Sequence, residues 1–398
     1  MRTAFFLLMG IQLVLSVYGL LEILRWRGWV RRRTAAHSGF YTPRVALICP
    51  CKGLEPELEE NLRALTGLDY PYYEVFFVLA SAADPAHEVL RRITVASPHP
   101  AHIVVAGAPR DSSEKVNNLR AAAEQVGAEC EVLVFTDSDG RPDRRWLGRL
   151  VAPLADAKLG AATTFRWLVP GDSRFASALA AAWNAAAVSL LGDHPRNFCW
   201  GGGTAIRRQT FDRIQVLEHW RGAAAEDYAL TRALRSAGLG IRFVPECLVP
   251  SRVQAGWCEL AEFTNRQMIL TRVYHPRLWA QALAAHTFYS AALLYALFFV
   301  AWNWVQGAPA MPFALLLLLI LLLAALRGLV RLEAVSELLA PEWKPELIQR
   351  GWAWVLLAPL APFLYAWNSL VAATRRRITW RGNRYELASP TQTRILRR

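Results

Sequence analysis

Charged residues are scarce in this chain. They make up 19% of its 398 residues, against 54% hydrophobic. That balance is too apolar for an ordinary soluble enzyme and too charged for a pure transporter. A polar domain joined to membrane helices is therefore expected. Acidic residues are in deficit: 32 Asp and Glu face 45 Lys and Arg, a formal net charge of +13. Arginine clusters beside apolar runs suit the anionic headgroups of a cytoplasmic leaflet. No nucleic-acid-binding motif accompanies the charge, so no nucleic-acid partner is expected. Cysteines number six, and only Cys49 and Cys51 stand close together. One residue apart, they share a face of a strand. No second pair and no nearby histidine gives zinc spacing, which leaves reduced thiols in a cytosolic domain. Internal repeats and low-complexity linkers are also missing.

A cleavable secretory signal is excluded by charge order. The apolar run 4–24 is followed, not preceded, by its basic cluster, RWRGWVRRR. This reads as an uncleaved transmembrane anchor over 1–30 with its C-terminal end in the cytoplasm. Three more apolar segments lie at 282–305, 311–326 and 353–373. The last contains Pro359 and Pro362, so a kinked or re-entrant passage is expected. Three full crossings would carry the basic stretch 375–398 to the far side. A re-entrant third segment would keep it with the catalytic domain, as a cytoplasmic tail. The domain plan is thus an anchor (1–30), a catalytic domain with interfacial helices (40–280), transmembrane or re-entrant helices (281–374) and a basic tail (375–398). The protein is expected in the cell membrane, multi-pass, with its catalytic domain facing the cytoplasm.

Between 44 and 255 short apolar runs alternate with amphipathic stretches: VALICP, EPELEENLRAL, EVFFVLA, AHEVLRRI, HIVVAGA, KVNNLRAAAEQV and EVLVFTD. Strands of four to seven residues between helices imply an α/β layer with a mostly parallel sheet. Ligands of such sheets bind at the carboxyl ends of the strands. There the chain places VLVFTDSDG, residues 132–140. Carboxylates at Asp137 and Asp139 can converge on one divalent cation, and hard oxygen ligands suit Mg2+ or Mn2+. The same sequence also suits a solvated turn. Glu226-Asp227-Tyr228 opens a helix, where an acidic pair serves either as a cap or as a general base. Asp84 follows another strand. Lys115 and Asn117 precede an apolar helix, and His194-Pro195-Arg196 precedes Gly201-Gly202-Gly203. FASALAAAWNAAAVSLL, 175–191, is an apolar helix within the polar domain. It is expected at the membrane surface, guiding a lipid head toward Asp227; an ordinary buried helix is the alternative.

In their order these segments resemble the ceramide glucosyltransferases and their bacterial relatives, a branch of the inverting family 2 glycosyltransferases. The stretch from Cys51 to Ala86, then KVNNL, TDSDG, HPR and AEDYAL, and finally ITWRGNRYEL at 378–387 carry the likeness. The resemblance implies a GT-A nucleotide-diphospho-sugar transferase fold and a hexosyltransferase acting on a UDP-sugar donor, UDP-glucose first, and a lipid acceptor such as ceramide. A hopanoid or glycerolipid acceptor, a processive polysaccharide synthase and a non-catalytic membrane scaffold are the competing readings. It further implies that Asp84 contacts the uracil side of the donor and that Lys115 and Asn117 line the nucleotide pocket. Asp137 and Asp139 would hold metal and diphosphate, His194 would bind donor, and Asp227 would be the catalytic base. The branch's (Q/R)xxRW motif is incomplete here. Arg266 and Gln267 offer its first position, Ile269-Leu270 or Leu270-Thr271 stand in place of RW, and Arg272 is the expected substitute at the diphosphate.

Overall fold

The computed structural model describes residues 2–35 and 41–396. A 34-residue helix, α1 (Arg2–Ala35), leads into the α/β layer. The strands of that layer are β1 (Val45–Pro50), β2 (Tyr73–Leu79), β3 (Ala101–Val105), β4 (Val132–Thr136), β5 (Leu159–Thr163), β6 (Arg166–Pro170), β7 (Gly203–Arg207), β8 (Gly240–Phe243) and β9 (Val249–Val253). Its helices are α2 (Leu58–Thr66), α3 (Ala86–Ala96), α4 (Glu114–Ala123), α5 (Trp146–Val151), α6 (Phe175–Val188), α7 (Arg208–Arg213), α8 (Val216–Trp220) and α9 (Glu226–Ser236). The main sheet has the order β3-β2-β1-β4-β7-β5-β8, and β6 pairs with β9 apart from it. Only β7 runs antiparallel to its neighbours.

β1 and β4 are unbroken apolar runs because both of their faces are covered. One face packs Leu58, Leu62 and Leu65 of α2 with Leu90 of α3 and Trp146 of α5. The other packs Val116 and Leu119 of α4 against Trp220 and Leu230. α2 turns Glu59, Glu60 and Arg63 outward and its leucines inward, which is why this short stretch is helical in context. Ser113 caps α4, its Oγ accepting from the Val116 amide at 3.3 Å. The antiparallel register sets Thr136 opposite Gly203. Asp137 thereby lands beside Gly202, where an added Cβ would run into the Trp200 ring and come within 2.8 Å of the carboxylate.

After the layer come α10 (Trp257–Tyr274), α11 (Pro276–Val305), α12 (Met311–Ser336), α13 (Lys344–Gln349), α14 (Gly351–Leu356) and α15 (Ala361–Thr374). Among the described residues three helices, α1, α11 and α12, are long and apolar enough to cross a membrane. They leave residues such as Leu7, Val14, Leu297 and Leu322 outward, as a lipid-facing surface would. The apolar segment at 353–373 is split into α14 and α15 around Pro359, and neither piece has spanning length. The fold class is α/β with an N-terminal membrane helix and C-terminal membrane helices, as expected.

Two expectations change. Residues 377–396 of the expected tail are folded: β10 (Arg377–Trp380), β11 (Asn383–Ser389) and β12 (Gln392–Leu396) form an antiparallel sheet. Ile378, Tyr385 and Leu387 point inward and pack on Met268, Ile269 and Leu270 of α10, so the arginines ride the opposite face of a folded element. The apolar helix α6 is not at a surface either. Its alanines let it nest against Trp167 of β6 on one side and Leu260, Ala353 and Leu357 on the other.

Gly328 of α12 lies against the Trp354 carbonyl, where a Cβ would clash with backbone. Gly10 of α1 has open space around it. Gly328→Ala should lower the thermal midpoint in detergent, with an overpacking cost of about 1–3 kcal/mol. Gly10→Ala should leave the midpoint unchanged or slightly raised.

Candidate active site

A cleft of about 360 Å³ opens at the carboxyl ends of β1 and β4. Its floor is the turn after β4, and its sides are the N-terminal ends of α4 and α9. One face of α10, with Phe263, Arg266, Gln267 and Leu270, forms a wall, and Trp380, Arg381, Asn383 and Tyr385 form the roof. The roof is fastened to the layer: the Glu114 amide donates to the Tyr385 hydroxyl at 3.1 Å, and Arg381 donates to the Lys52 carbonyl at 3.2 Å.

Charge is dense and balanced here. Lys115 Nζ lies 2.6 Å from Asp137 Oδ1 and 2.7 Å from Glu226 Oε1. Burial alone would lower the Lys115 pKa, but Asp137 and Glu226 outweigh it and hold the ammonium above its usual value. Arg166 spans the acidic turn, 3.1 Å from Asp139 and 3.6 Å from Asp137. Burial opposes ionisation of Asp139, yet Arg166, Arg381 and Lys115 together keep it below the usual carboxylate range. Ser138 donates to Glu55 at 2.6 Å, and Glu55 pairs with Arg381.

Asp227 differs from these carboxylates. Burial, then the Glu226 charge, push it up to about 7, while Lys115 and the amides of Tyr228 and Gly201 pull the other way. Those amides lie 2.7 and 3.4 Å from its two oxygens. An aspartate that gains and loses its proton near neutrality is suited to general base work. Arg266 is held down to about 10, by burial first and then by repulsion from Arg166, and its Nε is buried without an acceptor. A cation in that state leaves room in the cleft for an added anion.

The structure brings five of the expected residues to the cleft: Lys115, Asp137, Asp139, Asp227 and Gln267. Four others stand outside its lining. Asp84 lies after β2, its Oδ1 accepting from the Gly53 and Ala86 amides at 2.9 Å each. Asn117 is one helical position too far round α4 and bonds the Gly107 carbonyl at 3.1 Å. His194 lies against Gly192, in a loop held by Trp26 of α1, whose indole donates to the Leu191 carbonyl at 2.8 Å. Arg272 faces away because five or six residues on a helix do not return to one side. It donates to the Ala372 carbonyl at 2.6 Å and covers the Trp279 ring. Sequence reasoning gave no role to Glu55 or Arg166, which carry no local pattern. It also gave none to Trp380-Arg381, although the closing segment containing them stood out. Trp380 lies 5.2 Å from the Arg266 guanidinium and 6.0 Å from Lys115 Nζ. A tryptophan and an arginine thus reach the cleft from the C-terminal sheet, where α10 lacks the pair.

An Asp-x-Asp turn at the strand ends of a mostly parallel sheet, ringed by cations and faced by a base-like carboxylate, is the site of a GT-A glycosyltransferase. The chain belongs to glycosyl transferase family 21, whose model matches residues 7–393. Over 210 residues it is 26% identical to ceramide glucosyltransferase 1 of Caenorhabditis elegans, covering 49% of this chain and 43% of that relative's length. Among solved structures it is similar to a mannosyltransferase from Pyrobaculum calidifontis in complex with GDP-Man and Mn2+, at 19% identity and TM-score 0.47, over 92% of this chain and 97% of that one. It is also similar to glucosyl-3-phosphoglycerate synthase from Mycobacterium tuberculosis in complex with Mn2+ and UDP-Glc, at 16% identity and TM-score 0.40, over 62% and 82% of the two chains.

Lys115→Met leaves Asp137 and Glu226 buried without their shared partner. Removing one side of a buried pair costs about 3–5 kcal/mol. The variant should show a markedly lower unfolding midpoint at neutral pH in a denaturation series, whereas Lys52→Met, on the rim, should not.

Proposed function

We propose that the protein transfers a hexose, glucose from UDP-glucose in the first instance, to the hydroxyl of a membrane lipid of the ceramide type. The observation that carries this reading is the meeting of Asp227 with the Asp137–Asp139 turn in one cleft attached to membrane helices. The relative among the ceramide glucosyltransferases supports the acceptor class. The arginines at the end of α1 support a cytoplasmic catalytic face in the cell membrane.

Asp137 and Asp139 fit a divalent cation, Mg2+ or Mn2+. They are hard oxygen donors on one turn, and the Arg166 guanidinium between them marks a place for positive charge. Such an ion supplies charge neutralisation for a nucleotide diphosphate. Lys115, Arg266 and Arg381 supply more from the protein. Asp227 takes the proton of the acceptor hydroxyl as that oxygen bonds the anomeric carbon. The bond from that carbon to the diphosphate oxygen breaks, and its electron pair leaves with the nucleotide. Attack from the face opposite the leaving group inverts the anomeric configuration. The Gly201 and Tyr228 amides hold the carboxylate in place through the transfer.

Arg381 is part of this device and holds a backbone that arginine disfavours. It and Gly382 have φ of 47° and 79°, in the two-residue turn between β10 and β11. Asn or Gly is the usual first residue of such a turn. Retained strain at a cleft points to function in the side chain.

Purified protein in lipid nanodiscs, given UDP-glucose with ceramide, a diacylglycerol or a hopanoid polyol, should yield hexosyl-ceramide by mass spectrometry. Failure to glycosylate any lipid would sink the proposal. Asp227→Asn should reduce turnover by about 10²–10⁴-fold while donor binding persists. The base works unprotonated, so the rate should climb as pH rises through about 7 and level off above it. Chelation with EDTA should abolish turnover, and Mg2+ or Mn2+ should restore it. Arg381→Asn should keep the turn and the fold, yet raise the donor KM by about 10-fold or more, the worth of one charge-assisted contact.

A further inference from the structure

Two arginines in the helix bundle have no acidic partner among the described residues. Arg327 and Arg331 are one turn apart on the same face of α12. Arg331 is 7% exposed. The Nε atoms of both are buried without an acceptor. Among the described residues neither guanidinium has an ion pair or hydrogen bond. Arg331 feels Arg327 and the Tyr365 hydroxyl, and Arg327 feels Tyr289, with no carboxylate acting on either. Two other arginines at this end of the bundle, Arg27 and Arg31, do have acidic partners: Arg27 lies 2.9 Å from Glu333, and Arg31 bridges to Glu337.

The surroundings make room for the pair. Gly19 of α1 faces Arg327, and a Cβ there would come within 2.7 Å of the guanidinium carbon. His286 of α11 and Trp183 of α6 each stack on Tyr365 of α15, at centroid distances of 4.7 Å. Neither arginine borders the donor cleft. A buried, unpaired cation is destabilising, and two adjacent ones repel each other besides. The arrangement is complete only with an anion between the helices.

We propose that Arg327 and Arg331 form a binding site for the phosphate of an anionic membrane lipid. Position on α12 selects a lipid over free phosphate. Glu333 and Glu337, paired to the end of α1, mark the aqueous edge of the bundle. At a rise of about 1.5 Å per residue, Arg331 lies about 3 Å and Arg327 about 9 Å deeper than Glu333, near headgroup depth. Leu322, Leu326 and Leu329 on the outer side of the same helix are exposed and offer acyl chains an apolar track. The phosphate would tie α12 to α1, α11 and α15, the last of which leads into the strand that bears Trp380, without entering the transfer reaction.

The test uses the full chain in nanodiscs of phosphatidylcholine alone or doped with phosphatidylglycerol, read by native mass spectrometry and thermal unfolding. Phosphatidylglycerol should remain bound in preference to phosphatidylcholine and raise the midpoint by several degrees. Arg327→Gln with Arg331→Gln should lose both effects and be at least as stable as the parent in phosphatidylcholine alone, since no buried charge remains. Arg25→Gln, at an exposed position, and Asp227→Asn should keep both. Inorganic phosphate should not shift the midpoint. Equal retention of the two lipids by the parent, retention of phosphatidylglycerol by the double variant, or equal stabilisation by inorganic phosphate would each overturn the proposal. Should the double variant not fold, the lipid preference of the parent decides.

Discussion

Lys115 reaches from the start of α4 to two carboxylates that belong to different elements, Asp137 after β4 and Glu226 at the head of α9. Without a cation there, the acidic turn and the acidic helix start would repel across a dry gap. With it, Asp227 is held next in line, its proton kept by burial and by the adjacent Glu226 charge. The other charges follow from the same constraint. Arg166 serves Asp137 and Asp139, Arg381 serves Glu55, and Arg266 stands beside them with no ion pair among the described residues, its Nε without an acceptor. A cleft with that pattern is arranged for a ligand bearing negative charge and for a cation on the acidic turn.

The membrane part is coupled to this site through α10 and the C-terminal sheet. α10 packs on α15 and on β10, and its inner face is the cleft wall. The sheet sends Trp380 and Arg381 over the opening and anchors Tyr385 at the start of α4. An element that follows the last membrane helix thus completes a site built mainly from residues before the first one of the C-terminal group. The broken course of 351–374, two short helices and not one long one, is what brings the chain back to the α/β layer.

Much of this was legible from residues alone. Apolar runs of four to seven residues marked the buried strands, and Asp137, Asp139 and Asp227 fell at strand and helix ends, where ligands gather. Lys115 stood out for the same reason. Other placements were not legible. Arg272 was expected at the diphosphate as the substitute for a motif arginine, but a helix turns it to the opposite side from Arg266 and Gln267. Asn117 fails by a similar small rotation on α4. The Ala-rich α6 has the composition of an interfacial helix and of a tightly buried one, and only its neighbours Trp167, Leu260 and Ala353 distinguish the two.

Local pattern therefore determined the α/β layer, the membrane helices and the acidic positions, since hydrophobic period and strand-end chemistry act over a few residues. Which cations meet those acids was decided by tertiary structure. Glu55, Arg166 and Arg381 are separated by 326 residues from first to last, and electrostatic balance in a cleft depends on distance in space. The same holds for Arg327 and Arg331, whose lack of a counter-charge is visible only once four helices have closed around them.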